Sequence, residues 1–197
     1  MARPRNFDPD DLTDRALVAF WRLGYDGCAI SDLVVACGVN RQTLYNQFGD
    51  KRGAFLASLA RYRAYVAEGL RLLAPREPAQ TLAEVLLGFI EATLAVQAAR
   101  GAGACLLVIT ASTPHMADPA IRAAVTEGAA QTRAALAGLV ADRVPLHQRS
   151  GATAEVIGAY LYSLMNGLAA DRRTGGDPAT TAAMLHYAIK TLCPGDR

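Results

Sequence analysis

Three Asp-Pro pairs divide the chain into helical segments. Asp8-Pro9, Asp118-Pro119 and Asp177-Pro178 each precede a run rich in alanine and leucine. An aspartate carboxylate accepts the unpaired N–H groups of a first helical turn. Proline fits the first helical position because its missing N–H would have no partner there. Each pair therefore predicts the start of a helix.

Glycines and further capping residues delimit the other segments. Ser31 and Asn40 are predicted N-caps, and Thr81-Leu82-Ala83-Glu84 is a capping-box pattern. No segment shows the alternation typical of a strand. The predicted fold is all-α, with about nine helices: 9–23, 32–37, 41–48, 51–73, 79–99, 105–112, 118–143, 152–172 and 177–192.

Pro75 and Pro78 mark the predicted boundary between two domains. We expect an N-terminal domain over 1–50, a connecting helix over 51–73 and a helical C-terminal domain over 74–197. At 197 residues with 52% hydrophobic residues, the chain is long and apolar enough to bury a core.

Charge and targeting signals exclude some classes of protein. Twenty basic against 18 acidic residues give a net charge of +2, which argues against a globally basic nucleic-acid coat protein. No apolar run follows the N-terminus, and the apolar segments are broken by Gly, Glu and Thr. Four widely spaced cysteines form no CxxC pair. We therefore expect a cytoplasmic protein with reduced thiols and no membrane segment.

The first fifty residues carry the most specific motif. A short helix, a turn at Gly38 with Val39 as its apolar plug, and a second short helix are typical of a helix-turn-helix. Around them, the chain resembles the tetracycline-repressor (TetR) family of bacterial regulators. The resemblance covers about residues 9–60 and rests on these residues: Gly24-Tyr25, Leu33-Val34, Gly38-Val39-Asn40, Thr43-Leu44-Tyr45, Phe48-Gly49-Asp50-Lys51 and Phe55-Leu56. It implies a homodimer that binds double-stranded operator DNA and is released by a small-molecule effector.

Candidate DNA contacts cluster on the second short helix. A recognition helix presents its N-terminal residues to base edges in the major groove, and here these are Arg41 and Gln42. Arginine can bond guanine bidentately, and glutamine adenine. The resemblance adds Thr43, Tyr45 and Lys51 as phosphate contacts. Asn46, Gln47 and Ser31 are further polar candidates, although helix 32–37 is otherwise apolar. Arg3 and Arg5 form either a DNA-contacting arm or a disordered tail.

Residues 40–63 hold five basic residues against one acidic residue. This count predicts a positive field local to the recognition helix.

The second half of the chain offers candidates for effector binding and dimerisation. We expect a mostly apolar pocket with these lining residues: Tyr62, Phe89, Cys105, Leu106, His115, Met116 and Tyr160. An exposed loop position is the competing interpretation for His115. Helix 152–172 is apolar on more than one face, which favours a two-fold four-helix dimer interface over a thicker monomeric core. The expected interface residues are Tyr160, Leu164, Gly167, Met184 and Tyr187.

Two alternatives remain open. Cys105 follows Gly101-Ala102-Gly103 at a predicted helix start, where a thiol can be reactive, so the protein could be an electrophile or redox sensor. Packing as a small buried hydrophobe is the competing interpretation. The other alternative is a helical enzyme or scaffold that retains the motif. However, no phosphate-binding loop, nucleophile elbow or Cys/His metal cluster occurs, so we expect no catalytic site, cofactor or metal.

Overall fold

The computed structural model describes residues 8–72, 81–102 and 104–194. Within these ranges the chain forms nine α-helices and no strand, as the sequence predicts. The helices are α1 Pro9–Gly27, α2 Ile30–Cys37, α3 Arg41–Phe48, α4 Lys51–Arg71, α5 Leu82–Ala99, α6 Leu106–Ala111, α7 Pro119–Arg143, α8 Ala154–Arg173 and α9 Pro178–Leu192.

Most helix starts use the predicted caps. The carboxylates of Asp8, Asp118 and Asp177 accept backbone N–H groups of α1, α7 and α9. The capping box of α5 is also confirmed: Thr81 N donates to the Glu84 carboxylate at 2.8 Å, and Glu84 N donates to the Thr81 hydroxyl at 3.2 Å. Local capping chemistry therefore sets where these helices begin.

Gly24 interrupts α1 where the sequence predicts its end. Its backbone is at φ 71° and ψ 174°, outside the helical region, and residues 25–27 resume the helix beyond it. A positive φ of this kind favours glycine. The last turn of α1 is therefore joined to the rest by a break.

The chain divides into two compact units, each made of separate stretches. Unit 1 comprises residues 1–65 and 100–126, and unit 2 comprises 66–99 and 127–197. Helices α4 and α7 contribute residues to both. This division is not the linear one expected from the sequence, and the predicted boundary at Pro75 and Pro78 lies outside the described residues. The functional roles of 1–50, 51–73 and 74–197 stay predictions.

Unit 1 is built around the first four helices. Fully buried side chains from each helix meet in its core, among them Phe20, Leu33, Leu44 and Phe55. The Phe20 and Phe55 rings meet edge to face, with centroids 5.0 Å apart. Each such burial stabilises the fold by about 1.5–3 kcal/mol relative to exposure. This core holds α2 and α3 in place.

Unit 2 is a helical bundle around α5 and α8. Its core contains Leu86, Val140, Leu161 and Leu185, one from each of four helices. Among the described residues, α5 alone is long and apolar enough to cross a membrane by length and composition. The sequence predicted that apolar segments would fall short of this. In the structure, however, α5 supplies buried residues to this core.

Candidate nucleic-acid interface

Helices α2 and α3 form the predicted helix-turn-helix. Gly38 ends α2 in the left-handed conformation, with φ 66°, and its N–H bonds to the Val34 carbonyl at 3.0 Å. Leu33 of α2 and Leu44 of α3 are completely buried. Asn40 is confirmed as the N-cap of α3, since its side chain accepts from Thr43 N at 2.8 Å. The turn and the cap together fix where α3 starts.

The exposed face of α3 is polar and internally ordered. Arg41, Gln42, Tyr45 and Asn46 are exposed, while Thr43 and Gln47 are half-buried. Gln42 Nε2 donates to Asn46 Oδ1 at 2.9 Å. The Arg41 guanidinium lies 5.9 Å from the centroid of the Tyr45 ring, within reach of a cation–π interaction. The structure thus brings the α3 candidates together on one surface.

The positive field around α3 is weaker than the residue count suggests. Arg52 binds Asp118 through two hydrogen bonds, one of 2.8 Å from Nη2. Arg61 binds Asp14 through two bonds of 2.7 Å. The sequence could not show these pairs because the partners are far apart along the chain. Two of the five basic charges are therefore compensated within the protein.

Arg41 and Lys51 retain their charge for a partner. Neither forms a salt bridge within the described ranges. The Lys51 ammonium lies 4.6 Å from the centroid of the Tyr25 ring. A ring face holds a cation without neutralising it. Lys51 is thereby positioned directly after α3.

Ser31 is not the N-cap of α2, so that prediction is wrong. The helix starts at Ile30, its N-cap is Ala29, and the Asp32 carboxylate accepts from Ala29 N at 2.8 Å. The Asp32 carboxylate thus satisfies the backbone N–H of the N-cap residue, while Ala29 provides no side-chain cap for the first turn. Ser31 is exposed and its hydroxyl is not used as a cap. Beside it on α2, Val35 is 81% exposed.

Arg3 and Arg5 lie outside the described residues, so their role stays a prediction.

The predicted pocket residues are distributed over both units, and their role in effector binding stays a prediction. Leu106 and His115 line a cavity of about 180 Å³ in unit 1. Tyr62 is buried against Trp21, with ring centroids 4.9 Å apart, and Met116 is half-buried. Phe89 and Tyr160 belong to unit 2, where Tyr160 is exposed.

Exposed apolar side chains project from α8 and α9. Tyr160, Met184 and Tyr187 are exposed, and Tyr187 is 75% exposed. Leu164 packs partly against the core of unit 2, and Gly167 is exposed. The expected interface residues therefore lie mostly outside the core of their own chain.

The four cysteines differ in environment. Cys28, Cys37 and Cys193 are buried, whereas Cys105 is half-buried at the N-cap of α6. Burial raises the pKa of Cys28 and of Cys37 to about 11. Cys105 is thus the most accessible thiol. Its role as a sensor stays a prediction.

No group of three or more His, Cys, Asp or Glu side chains that could hold a metal ion occurs among the residues described.

Comparison with known proteins agrees with this geometry. Residues 12–57 match the family described as bacterial regulatory proteins, tetR family. The chain is 45% identical over 60 residues to the HTH-type transcriptional repressor ComR of Escherichia coli, a match that spans 30% of this chain and 29% of ComR. It is 29% identical over 195 residues to the HTH-type transcriptional repressor BdcR of Escherichia coli, spanning 96% of this chain and 93% of BdcR.

A crystal structure of a TetR transcriptional regulator from Legionella pneumophila shares the fold. Its TM-score is 0.76 at 16% identity, with coverage of 98% of this chain and 100% of that one. The match of α1 to α4 to the family, the near full-length match to BdcR and this fold agree with one another. Residues 12–57 belong to the tetR family of bacterial regulatory proteins, and the chain over nearly its whole length is similar to the repressor BdcR and shares the fold of a TetR transcriptional regulator.

Proposed function

We propose that the protein is a homodimeric transcriptional regulator that binds a palindromic operator and represses the adjacent gene until a small molecule releases it. The observation that carries this proposal is the exposed polar face of α3, capped by Asn40 and held by buried Leu44. Its relatives ComR and BdcR are named as transcriptional repressors, which supports repression rather than activation.

Arg41 and Gln42 read base edges. Both lie in the first turn of α3, the part of a recognition helix that enters the major groove. Each correct bidentate contact contributes about 1–3 kcal/mol of discrimination. Since Gln42 is bonded to Asn46, these two amides present a shared donor and acceptor edge.

Thr43, Tyr45 and Lys51 hold the phosphate backbone, with Ser31 as the contact from α2. Gln47 lies on the same helix and is an additional polar contact. Arg52 and Arg61 are bound to carboxylates and contribute little to DNA affinity. Few phosphate contacts imply a shallow dependence of affinity on salt.

Dimerisation occurs through α8 and α9. Exposed Tyr160, Met184 and Tyr187 with neighbouring Leu164 form an apolar surface, and exposed Gly167 permits a close approach of helices. Two copies of this helix pair make a four-helix interface about a two-fold axis. The symmetry then places one α3 from each protomer on the two half-sites of the operator.

The dimer is released from the operator because the effector binds one dimer conformation more tightly than the other. The conformation that the effector favours no longer matches the spacing of the two half-sites. The protein acts in the cytoplasm, where its operator is, and does not act as an enzyme.

The test compares operator and random DNA. The operator is selected from a random duplex library, and binding is followed by fluorescence anisotropy with the full chain. Arg41→Ala is expected to lose about 5- to 150-fold in affinity for the operator, from about 1–3 kcal/mol, and to relax preference at one base pair per half-site.

Lys51→Ala is expected to weaken operator and random DNA alike and to flatten the salt dependence. The control is Lys190→Ala, an exposed lysine on α9. Thermal unfolding of each variant separates loss of contact from loss of fold. Equal affinity of the native protein for operator and random DNA would contradict the proposal and favour the enzyme or scaffold alternative.

A further inference from the structure

A cavity of about 180 Å³ lies in unit 1, between the end of α1, the start of α4 and α6. The break at Gly24 forms part of its wall, and Phe55, Leu106 and Ile109 supply apolar surface. An enclosed apolar cavity of about 150 Å³ binds benzene. The cavity here is open to solvent on one side and by volume has room for one six-membered ring with a small substituent.

Aromatic side chains shape the cavity for a planar ligand. The Tyr25 and Phe55 rings meet edge to face with centroids 4.9 Å apart, and the Tyr25 and His115 rings have centroids 4.4 Å apart. All three residues line the cavity. A ring placed among them finds further edge-to-face partners, which favours an aromatic over an aliphatic ligand of the same size.

The polar groups of the lining are mostly hydrogen-bond acceptors. The Asp26 carboxylate is an acceptor, and its oxygens lie 2.9 Å from His115 Nε2, which donates to them. The hydroxyls of Thr110 and Thr113 donate to backbone carbonyls at 2.7 Å, which leaves their oxygens as acceptors. A ligand with one O–H donor complements this set, whereas an anion would meet the Asp26 carboxylate.

We propose that this cavity binds a neutral monocyclic phenol and that its occupancy controls the position of Lys51 and of the α4 N-terminus. The proposal that the cavity binds a phenol depends only on the geometry of the cavity. The proposal that occupancy controls Lys51 rests on the function proposed above, because it acts through the DNA contacts.

Tyr25 connects the cavity to the DNA-binding surface. Its ring contacts His115 and Phe55 on the cavity side and holds the Lys51 ammonium at 4.6 Å. Gly24 joins residues 25–27 to the body of α1 through a break, and the Tyr25 ring also stacks on Phe20 of that body, with ring centroids 6.1 Å apart. A ligand that shifts Tyr25 therefore shifts Lys51.

A second connection between the cavity and the start of α4 passes through the residues that follow α6. His115 lies in the short 3-10 helix Pro114–Ala117, and the next residue, Asp118, binds Arg52 of α4 with two hydrogen bonds. Displacement of His115 by a ligand is thus transmitted to the first turn of α4. Because binding free energies are linked, a ligand that disfavours the DNA-bound arrangement must itself bind more weakly when DNA is present.

The binding experiment uses the full chain and 4-fluorophenol, followed by ¹⁹F NMR at pH 7, where a phenol is neutral as the tyrosine side chain is. We expect a Kd of about 1 mM or below. Fluorobenzene, which lacks the donor, and 4-fluorobenzoate, which is an anion, are expected to bind at least about tenfold more weakly.

Two variants test whether the ligand binds in this cavity. Ile109→Phe fills the cavity and is expected to abolish binding, whereas Val108→Phe, on the neighbouring residue of α6 that does not line it, leaves binding unchanged. Thr113→Val removes one of the acceptor oxygens of the lining and is expected to reduce the preference for 4-fluorophenol over fluorobenzene. Should Ile109→Phe fail to fold, the Thr113→Val comparison decides. Equal binding by the native protein and either cavity variant, or no saturable binding, would overturn the proposal.

Measurement of operator affinity distinguishes a failure of the cavity proposal from a failure of the proposed regulatory function. Addition of 4-fluorophenol is expected to lower operator affinity in the native protein and in Val108→Phe, but not in Ile109→Phe. Selective operator binding without phenol binding would refute the cavity proposal and leave the regulator intact. Phenol binding by a protein that does not prefer operator over random DNA would refute the proposed function as a regulator. Phenol binding that leaves operator affinity unchanged would refute the proposal that the cavity controls the position of Lys51.

Discussion

Gly158 of α8 has no room for a side chain. A methyl group at its Cα would lie 2.6 Å from Ala137 N, 2.9 Å from Ala137 Cα and 2.9 Å from the Arg133 carbonyl oxygen. All three are backbone atoms of α7, so no side-chain rotation relieves the overlap. Gly158→Ala must therefore move α8 away from α7 within the core of unit 2.

The expected loss of stability follows from two opposing terms. Overpacking in a core costs about 1–3 kcal/mol, and a backbone neighbour places this site at the upper end. Alanine recovers about 1 kcal/mol of helix propensity over glycine. The free energy of unfolding should therefore fall by about 2 kcal/mol, which lowers Tm by about 4–8 °C for a chain of this size.

The assay is thermal and urea unfolding followed by circular dichroism at 222 nm, at one protein concentration because dimerisation contributes to stability. The matched control is Gly138→Ala on α7, where nothing lies within 4 Å of the added methyl group. It should raise stability by up to about 1 kcal/mol. If Gly158→Ala were as stable as Gly138→Ala, the close approach of α7 and α8 would be wrong.

Three further predictions concern caps, thiols and pH. Asn40→Ala should lower the free energy of unfolding by about 1 kcal/mol through loss of the α3 cap, whereas Ser31→Ala should leave it unchanged; equal losses in urea unfolding would contradict the assigned cap. In native maleimide labelling followed by mass spectrometry, Cys105 should react before the three buried cysteines, and its protection while they react would remove the thiol-sensor alternative. The bonds from Arg52 hold the pKa of Asp118 below its usual value, so their stabilisation is present above about pH 4 and is lost as pH falls further. Arg52→Met should therefore be less stable than the native protein at pH 7, with a difference that narrows towards pH 2 in urea unfolding; a difference that is constant with pH would refute the pairing.

The sequence predicted the structural features that depend on residues close to one another along the chain. The starts of α1, α3, α5, α7 and α9 follow from capping side chains within three residues of each helix, and the turn at Gly38 follows from its positive φ. The start of α2 was misplaced because no side chain caps its first turn and Asp32, inside the helix, instead binds the backbone N–H of the N-cap residue Ala29. An acidic residue at the third helical position is the signal that could have found it.

Long-range pairing could not be predicted. Arg52 and Asp118 are 66 residues apart, and Arg61 and Asp14 are 47 apart, so a count of local charges overestimates the field around α3. The cavity beside Tyr25 arises for the same reason, since its walls come from three separate helices. Leu106 and His115 were anticipated as pocket residues, but the aromatic neighbours that define the cavity were not. Only packing brings these groups together.

The central claim is that two copies of the chain present their α3 helices to the two halves of one operator. It is tested most directly by sedimentation of the full chain with its selected duplex, combined with hydroxyl-radical footprinting. The account predicts protomers bound in an even number, and protection that is symmetric about a pseudo-two-fold axis with half-sites about one helical turn, or a multiple of it, apart. A single protomer on the duplex with one asymmetric protected half-site would contradict it.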